Sequence, residues 1–415
     1  MITTINNEHK ELNFSSEREQ SQACLNSAEH EKNQGRKVLN VPNLRFPEFQ
    51  GEWEEERLAD IADLYKGTSI SKDQLSDDGE PCILYGELYT KYKSETIREV
   101  ISKTNIDNTK LVRSKANDVI IPCSGETAED IATARCVLNG NILLGGDLNI
   151  IRLHGYDGTF MSYQLNGKRK YDIAKVAQGV SVVHLYGEHL KGVKTINPCL
   201  TEQKKIASLL TLLDKRIATQ NKIIEDLKML KYAISKKLLC NDKWTTYKIQ
   251  DIAEIGRGRV ISSIEIDRQK HPLYPVYSSQ TSNDGIMGYL DNYMFDGEYI
   301  TWTTDGANAG TVFYRKGKFN CTNVCGTLKI QPKFDCYFVS LVLQQATQKY
   351  VSSNLANPKL MNNTMASIKI RMPNIETQKQ LSKVFQALDG CLFIHQRTCE
   401  MYLKEKQYLL RQMFI

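Results

Sequence analysis

The chain has 415 residues, a mild net charge of +6, and 41% hydrophobic and 25% charged side chains; this size and balance describe a globular protein of two or three domains, not a fibrous or disordered one. No run reaches the roughly 18 apolar residues that cross a bilayer, and Met1–Lys10 lack the basic and apolar regions of an export signal. The 11 cysteines are odd in number and show no repeated short spacing, which reads as reduced thiols in the cytoplasm and not as a disulfide framework.

Residues 1–40 are polar, almost without aromatic side chains, and rich in Glu, Gln, Asn, Lys and Ser; they read as a disordered extension. Residues 41–200 read as an α+β domain. Its β-rich runs, such as Asp118–Ile121 and Asn149–Leu153, alternate with clusters of Gly, Asn, Asp and Ser. In residues 201–241 the side chains Ile206, Leu210, Leu213, Ile217, Gln220, Ile224 and Leu227 recur at steps of four and three, the seam of a coiled coil. A second α+β domain, residues 242–372, contains the run Glu298–Trp302. A second helix, residues 373–415, carries Leu381, Phe385, Leu388, Leu392, His395, Cys399 and Tyr402 on its seam. Pro198 and Pro373 stand just before the two helices, where proline is tolerated. A helix of about 38 residues spans roughly 55–60 Å. Each must bury its stripe, and the obvious partner of one is the other. Gln220 and His395 are polar at one seam position, a pattern that fixes register at a cost in stability, though two half-exposed side chains are an equally ordinary reading.

The chain repeats itself. Pro198 maps to Pro373, Gln203 to Gln378 and Asp214 to Asp389, a constant offset of 175. Upstream, Trp53…Asp60-Ile61-Ala62 resembles Trp244…Asp251-Ile252-Ala253 at an offset of 191. The difference of 16 must be extra residues in the first copy. Two copies of one domain–helix unit imply a pseudo-twofold molecule. Residues 201–240 hold nine Lys or Arg against four acids, either a solvated face or one set beside phosphates or an acidic partner.

The segment Val41-Pro42-Asn43-Leu44-Arg45-Phe46-Pro47-Glu48-Phe49…Trp53 resembles the start of type I restriction–modification specificity subunits. The blocks Pro198…Glu202-Gln203…Ile206-Ala207…Leu213-Asp214 and Pro373…Gln378…Leu381…Leu388-Asp389 are similar to that family's helical regions. The resemblance implies two α+β target-recognition domains separated by two long antiparallel coiled-coil helices. It implies that each domain reads one half of an asymmetric, split double-stranded DNA target. Two modification (methyltransferase) subunits and two restriction (endonuclease and translocase) subunits would then assemble on the chain, which itself performs no chemistry and holds no cofactor. S-adenosylmethionine, ATP and Mg would belong to those partners, and the whole would serve host defence in the cytoplasm. Helix packing and partner binding fall to Ile206, Leu210, Leu213, Ile217, Leu381, Phe385, Leu388 and Leu392.

A DNA reader needs exposed donors on loops. Each α+β region has a glycine-and-basic turn: Tyr65–Lys72, offering Lys66, Thr68, Ser69 and Lys72, and Gly256–Ser263, offering Arg257 and Arg259. Glycine lets a backbone approach a ligand closely, and Arg is the best major-groove reader of guanine. Ser124 in Ser124–Thr127, Ser278 and Gln280 in Ser278–Thr281, and Thr304 and Asn308 in Thr303–Asn308 are further candidates; Gln and Asn can pair with adenine. Tyr85, Tyr89 and Trp302 read as core aromatics. An ordinary solvated turn is the competing reading for every loop.

Catalytic motifs are not found. Asn197-Pro198-Cys199-Leu200 lacks the second proline and the aromatic of an adenine-methyltransferase loop, and no Gly-x-Gly-x-x-Gly or P-loop motif occurs. Glu265–Lys270 only faintly resembles a nuclease motif and reads as a charged turn. Cys321 and Cys325 have no second Cys or His pair nearby for zinc. The alternative function is a coiled-coil adaptor that binds proteins without DNA selectivity; a fused catalytic enzyme is disfavoured by the missing motifs.

Overall fold

A computed structural model describes residues 39–415 apart from Ser69, residues 108–109 and 180–181, Cys240 and residues 353–356. The expected extension therefore lies, but for Leu39 and Asn40, outside the described residues. The chain forms two compact units. One holds the residues up to Asp214 together with Glu405–Ile415, and the other holds Lys215–Lys404.

In chain order the first unit contributes β1 (Glu54–Arg57), α1 (Leu58–Ile61), β2 (Ala62–Lys66), β3 (Glu80–Ile83), β4 (Asp118–Pro122), β5 (Arg135–Val137), β6 (Leu148–Leu153), α2 (Gly158–Asn166) and β7 (Lys194–Asn197). The long helix α3 (Leu200–Leu238) follows. The second unit continues with β8 (Thr245–Lys248), α4 (Ile249–Ile252), β9 (Ala253–Arg257), β10 (Tyr274–Tyr277), β11 (Glu298–Thr303), β12 (Val312–Lys316), β13 (Cys325–Ile330), α5 (Cys336–Ala346) and β14 (Lys369–Met372), and α6 (Ile375–Gln412) closes the chain.

The first unit is built on the antiparallel run β2-β6-β4-β5, the second on β9-β13-β11-β12. The strands alternate apolar side chains on both faces because both faces are covered. In β6, Leu148 and Ile150 pack with Ile83 and Leu88 on one side, while Ile151 packs with Leu58 and Met161 on the other. The second unit centres on Ile300, Trp302, Leu328 and Phe338, all fully buried.

Register makes the duplication quantitative. Ile151 pairs with Leu64 and Val119, and Leu328 pairs with Ile255 and Ile300. The offsets are thus 191 at β2/β9 (255 minus 64), 181 at β4/β11 (300 minus 119) and 177 at β6/β13 (328 minus 151). Ten of the 16 extra residues (191 minus 181) therefore lie between β2 and β4.

The helix starts repeat atom by atom. The buried Gln203 side chain donates to the Pro198 carbonyl at 2.8 Å and accepts from the Asp157 amide at 2.9 Å. Gln378 does the same with Pro373 at 2.8 Å and Asp335 at 3.0 Å. Asp157 and Asp335 in turn cap α2 and α5 by accepting from the amides of Phe160 and Phe338. One glutamine thus satisfies a strand exit and a helix cap together.

Within the second unit α3 and α6 run antiparallel, for Gln220 meets His395, Asn221 meets Cys399 and Lys231 meets Asp389. The Gln220 Oε1 and His395 Nδ1 atoms are 2.7 Å apart. Tyr337 donates to Asp389 at 2.5 Å in the same unit. In the first unit Lys406 sits 2.7 Å from Asp214 and 2.7 Å from Glu95, and the Tyr163 hydroxyl donates to Asp214 at 2.6 Å. There Ile206 and Leu210 are buried among Trp53, Phe160, Met413 and Phe414. Leu213 is buried as well, whereas Ile217 and Leu392 are half-buried. Phe385, with Leu381 and Leu388 against it, closes the core of the second unit.

Candidate nucleic-acid interface

Four loops meet at one end of the sheet in each unit, and they are the same four. They follow β2/β9 and β3/β10, they follow β4/β11, and they lie just before Gly187 and Met361. In the first unit the Tyr89 hydroxyl donates to the Ser124 carbonyl at 3.1 Å, and Ser124 pairs with His184. In the second, the Asn308 amide donates to the Ser279 carbonyl at 3.0 Å, and Asp305 bridges to Lys359. Gln178 bridges to His184 just as Ser352 bridges to Lys359. The scaffolds match while the side chains at the rim differ.

Gly67 and Gly258 are required by this scaffold and not by a ligand. A Cβ on Gly67 would lie 2.0 Å from the Gly145 carbonyl oxygen, and one on Gly258 would lie 2.2 Å from that of Cys321. Their amides donate to Leu148 and Cys325, again equivalent positions. Close approach to a neighbouring strand, not to DNA, explains both glycines. The expected turns also begin later than expected, since Tyr65-Lys66 and Gly256-Arg257 still belong to β2 and β9.

The candidate donors are placed unequally. Lys66 is exposed, 4.0 Å from Asp147. Lys72 is exposed in a short 3-10 turn, and the Thr68 hydroxyl accepts from the Val112 amide at 2.9 Å. Ser69 lies outside the described residues. Ser124 is half-buried with its hydroxyl 3.3 Å from His184 Nδ1. Arg257 is exposed, but its guanidinium donates to the Asn323 carbonyl at 2.6 Å and to the Thr304 hydroxyl at 3.2 Å. Thr304 is fully buried and its hydroxyl donates to the Val324 carbonyl at 3.0 Å, so it braces Arg257 and does not face solvent. Arg259 forms a two-point pair with Glu265, which holds that carboxyl below its ordinary pKa. Glu265 itself sits on a short helix, Ser263–Asp267, where a charged turn was expected. Ser278 accepts from the Thr322 hydroxyl at 3.2 Å, and the Gln280 amide donates to the Ile286 carbonyl.

Sequence reasoning missed the loop after β3. It holds Tyr85, Tyr89 and Lys93, and in the first unit it occupies the place that Ser278–Gly285 takes in the second. Together with Ser124, Arg135 and Val182 these side chains border a cleft of about 770 Å³. Trp302 is core, as expected, but Tyr85 is 39% exposed and Tyr89 half-buried at this rim. Arg135 is spent on the carbonyls of Tyr92 and Ala134, and burial draws its pKa below the usual guanidinium value. No sequence signal located it: the offset of 191 sets Ser278 against Glu87, and only the strand pairings, Cys82 with Leu143 and Val276 with Asn320, give the offset of 194 (276 minus 82) that brings the Ser278 loop onto Leu84-Tyr85.

Comparison with known proteins agrees with this duplicated design. The family model for the type I restriction modification DNA specificity domain matches the chain twice, over residues 50–229 and 241–400. A Mycoplasma pneumoniae protein named as a type I specificity subunit is 36% identical over 223 residues, covering 52% of this chain and 93% of the relative. The specificity subunit of the type I restriction enzyme MpnII, from the same organism, is 39% identical over 178 residues, covering 42% of this chain and 53% of its own. The crystal structure of the S subunit of an M. genitalium type I system has the same fold, with a TM-score of 0.67, 18% identity, and coverage of 90% of this chain and 99% of that one. The chain belongs to the type I restriction–modification DNA-specificity family, and its role is DNA recognition.

Proposed function

We propose that each unit reads one half of an asymmetric, split DNA target, while α3 and α6 serve as the spacer that keeps an unread gap between the halves. One observation carries this reading: the same four loops converge on the same scaffold in both units, with different side chains at the rim. A shared scaffold gives a shared way of approaching a duplex, and unlike rims give unlike half-sites. Lys66, Lys72, Arg257, Arg259, Ser278, Gln280 and Asn308, with Tyr85, Tyr89 and Lys93, are the side chains set to meet DNA. Thr68 and Ser124 support them.

The chain acts as the non-catalytic reader of a larger enzyme. Two modification subunits supply methyl transfer from S-adenosylmethionine, and two restriction subunits supply ATP- and Mg-dependent cleavage. The exposed basic residues of α3, such as Lys222 and Lys228, are available to acidic partners or to phosphates. The recognition domains are 41–200 and 242–372, and the helical spacers 201–241 and 373–415.

The test is selection from a random duplex library by the chain in complex with its modification subunit, followed by sequencing. Two fixed half-sites at a constant spacing are expected. Retention of DNA without any sequence preference would overturn the proposal and favour a protein-binding adaptor.

A further inference from the structure

The loop after β3 and the loop after β10 leave equivalent strands. Each strand pairs in parallel with a two-residue strand, Cys82 with Leu143 and Val276 with Asn320. The sheet also closes the second loop as a hairpin, Tyr277 pairing with Ile286, and pairs the first strand with Ser102–Thr104; between these anchors each loop takes its shape from its own side-chain contacts.

In the second unit the loop contains three successive left-handed residues, Asn283 at φ 49°, Asp284 at 52° and Gly285 at 81°. Asn and Asp enter that region more readily than other non-glycine residues, and two in succession are held there by a specific contact. The group in contact with them is Arg315 on β12, only 3% exposed. Its guanidinium carbon lies 3.6 Å from the Tyr277 ring centroid and 4.4 Å from that of Phe313. It donates to Asp284 twice, to the carboxylate at 2.7 Å and to the carbonyl at 2.8 Å, and to the Thr301 hydroxyl at 3.3 Å. The Ser278 amide then closes the loop by donating to the Gly285 carbonyl at 2.9 Å. A guanidinium is a costly filler for a buried sheet face, and here two of its three hydrogen bonds go to the loop.

The first unit reaches the same end with the opposite charge. Glu87, 5% exposed, lies within the loop itself. It accepts from the Leu84 amide at 3.0 Å, from Lys91 at 2.7 Å and from the Ser102 hydroxyl. One buried charge thus grips each loop, from the sheet in one unit and from the loop in the other.

We propose that Arg315 and Glu87 are the positioning residues for base reading, each fixing the shape of one loop and thereby the specificity of one half-site. Neither touches DNA. Arg315 holds Ser279 and Gln280 at the rim through Asp284, and Glu87 holds Tyr85 and Tyr89. This inference rests on the half-site reading proposed above.

The experiment repeats the library selection with full-length variants bound to the modification subunit, scoring each half-site separately. Arg315→Gln and Asp284→Asn should each cost about tenfold or more in discrimination at a base pair of one half-site, and leave the other intact. Glu87→Ala should do the reverse. Asn283→Gly, which relieves the left-handed residue without touching the grip, should leave both halves unchanged. Asp284 is 67% exposed in its side chain, so its variant decides the matter if Arg315→Gln fails to fold. Folded variants that keep both half-sites, or that blur both equally, would overturn the inference. If the unsubstituted chain itself selects no split site, the half-site reading fails and this inference fails with it.

Discussion

Arg259 and Glu265 show that a single side chain is read correctly only with its partner. The arginine was legible as a candidate, but its pairing with an acid six positions on depends on a short helix whose only sequence sign is the Ser262-x-x-Glu265 cap, in a stretch that otherwise reads as a charged turn. Because Glu265 neutralises it, Glu265→Gln should free a charge for phosphate. Apparent DNA affinity should rise, and the slope of log K against log salt should steepen by about 0.9. An unchanged slope would place Arg259 away from the duplex. Lys406 was not legible at all, since Glu95 lies 311 positions away. Burial alone would pull its pKa down, yet Glu95 and Asp214 outweigh that and raise it above 10.5. A raised cation stabilises the fold below pH 10.5, and that contribution is lost as the pH climbs through the folded value. Lys406→Met should therefore cost roughly 3–5 kcal/mol at neutral pH. In urea titrations the gap between the two proteins should narrow above pH 10.5; a constant gap would show that the charge is not the stabilising feature.

At the scale of elements, the helices were the most readable part because a repeat of four and three residues needs no knowledge of the partner. The glutamines that start them stood out as repeat landmarks, but their role did not, since it depends on Asp157 and Asp335 arriving from far upstream. Loops were least readable. Tyr85 and Tyr89 in Leu84–Lys93 read as core aromatics and Ser278–Gly285 as a solvated turn, and only the sheet register shows that they are one element. The Gln220–His395 contact is the polar alternative realised at the seam. Replacing both by Leu should raise the melting temperature while letting the helices pair in other alignments, visible as mixed oligomers in light scattering. A double-Leu protein that melts lower, or remains a single species, would argue against a register role. Four residues inserted in α3 between Gln220 and Lys231, matched by four in α6 between Asp389 and His395, keep both contacts. They should lengthen the unread gap by about 6 Å, roughly two base pairs, and an unchanged gap in library selection would remove the spacer from the account.

Across the whole molecule, duplication is the feature that sequence and structure report alike, though the sequence showed it only in the segments that open each domain and in the helices with the residues leading into them. Backbone pairing extends it through the central sheet of each unit and into the rim loops, where the two copies part company in chemistry. That divergence predicts modularity. Exchanging residues 54–184 for the corresponding segment of a relative should change one half-site and spare the other. The most direct test of the central claim is methylation mapping, by single-molecule sequencing, of genomic DNA from cells expressing this chain with its modification subunit. One methylated, asymmetric motif is expected, with two defined halves around a gap of fixed length. A methylated motif that is continuous, or a gap that varies from site to site, would contradict it.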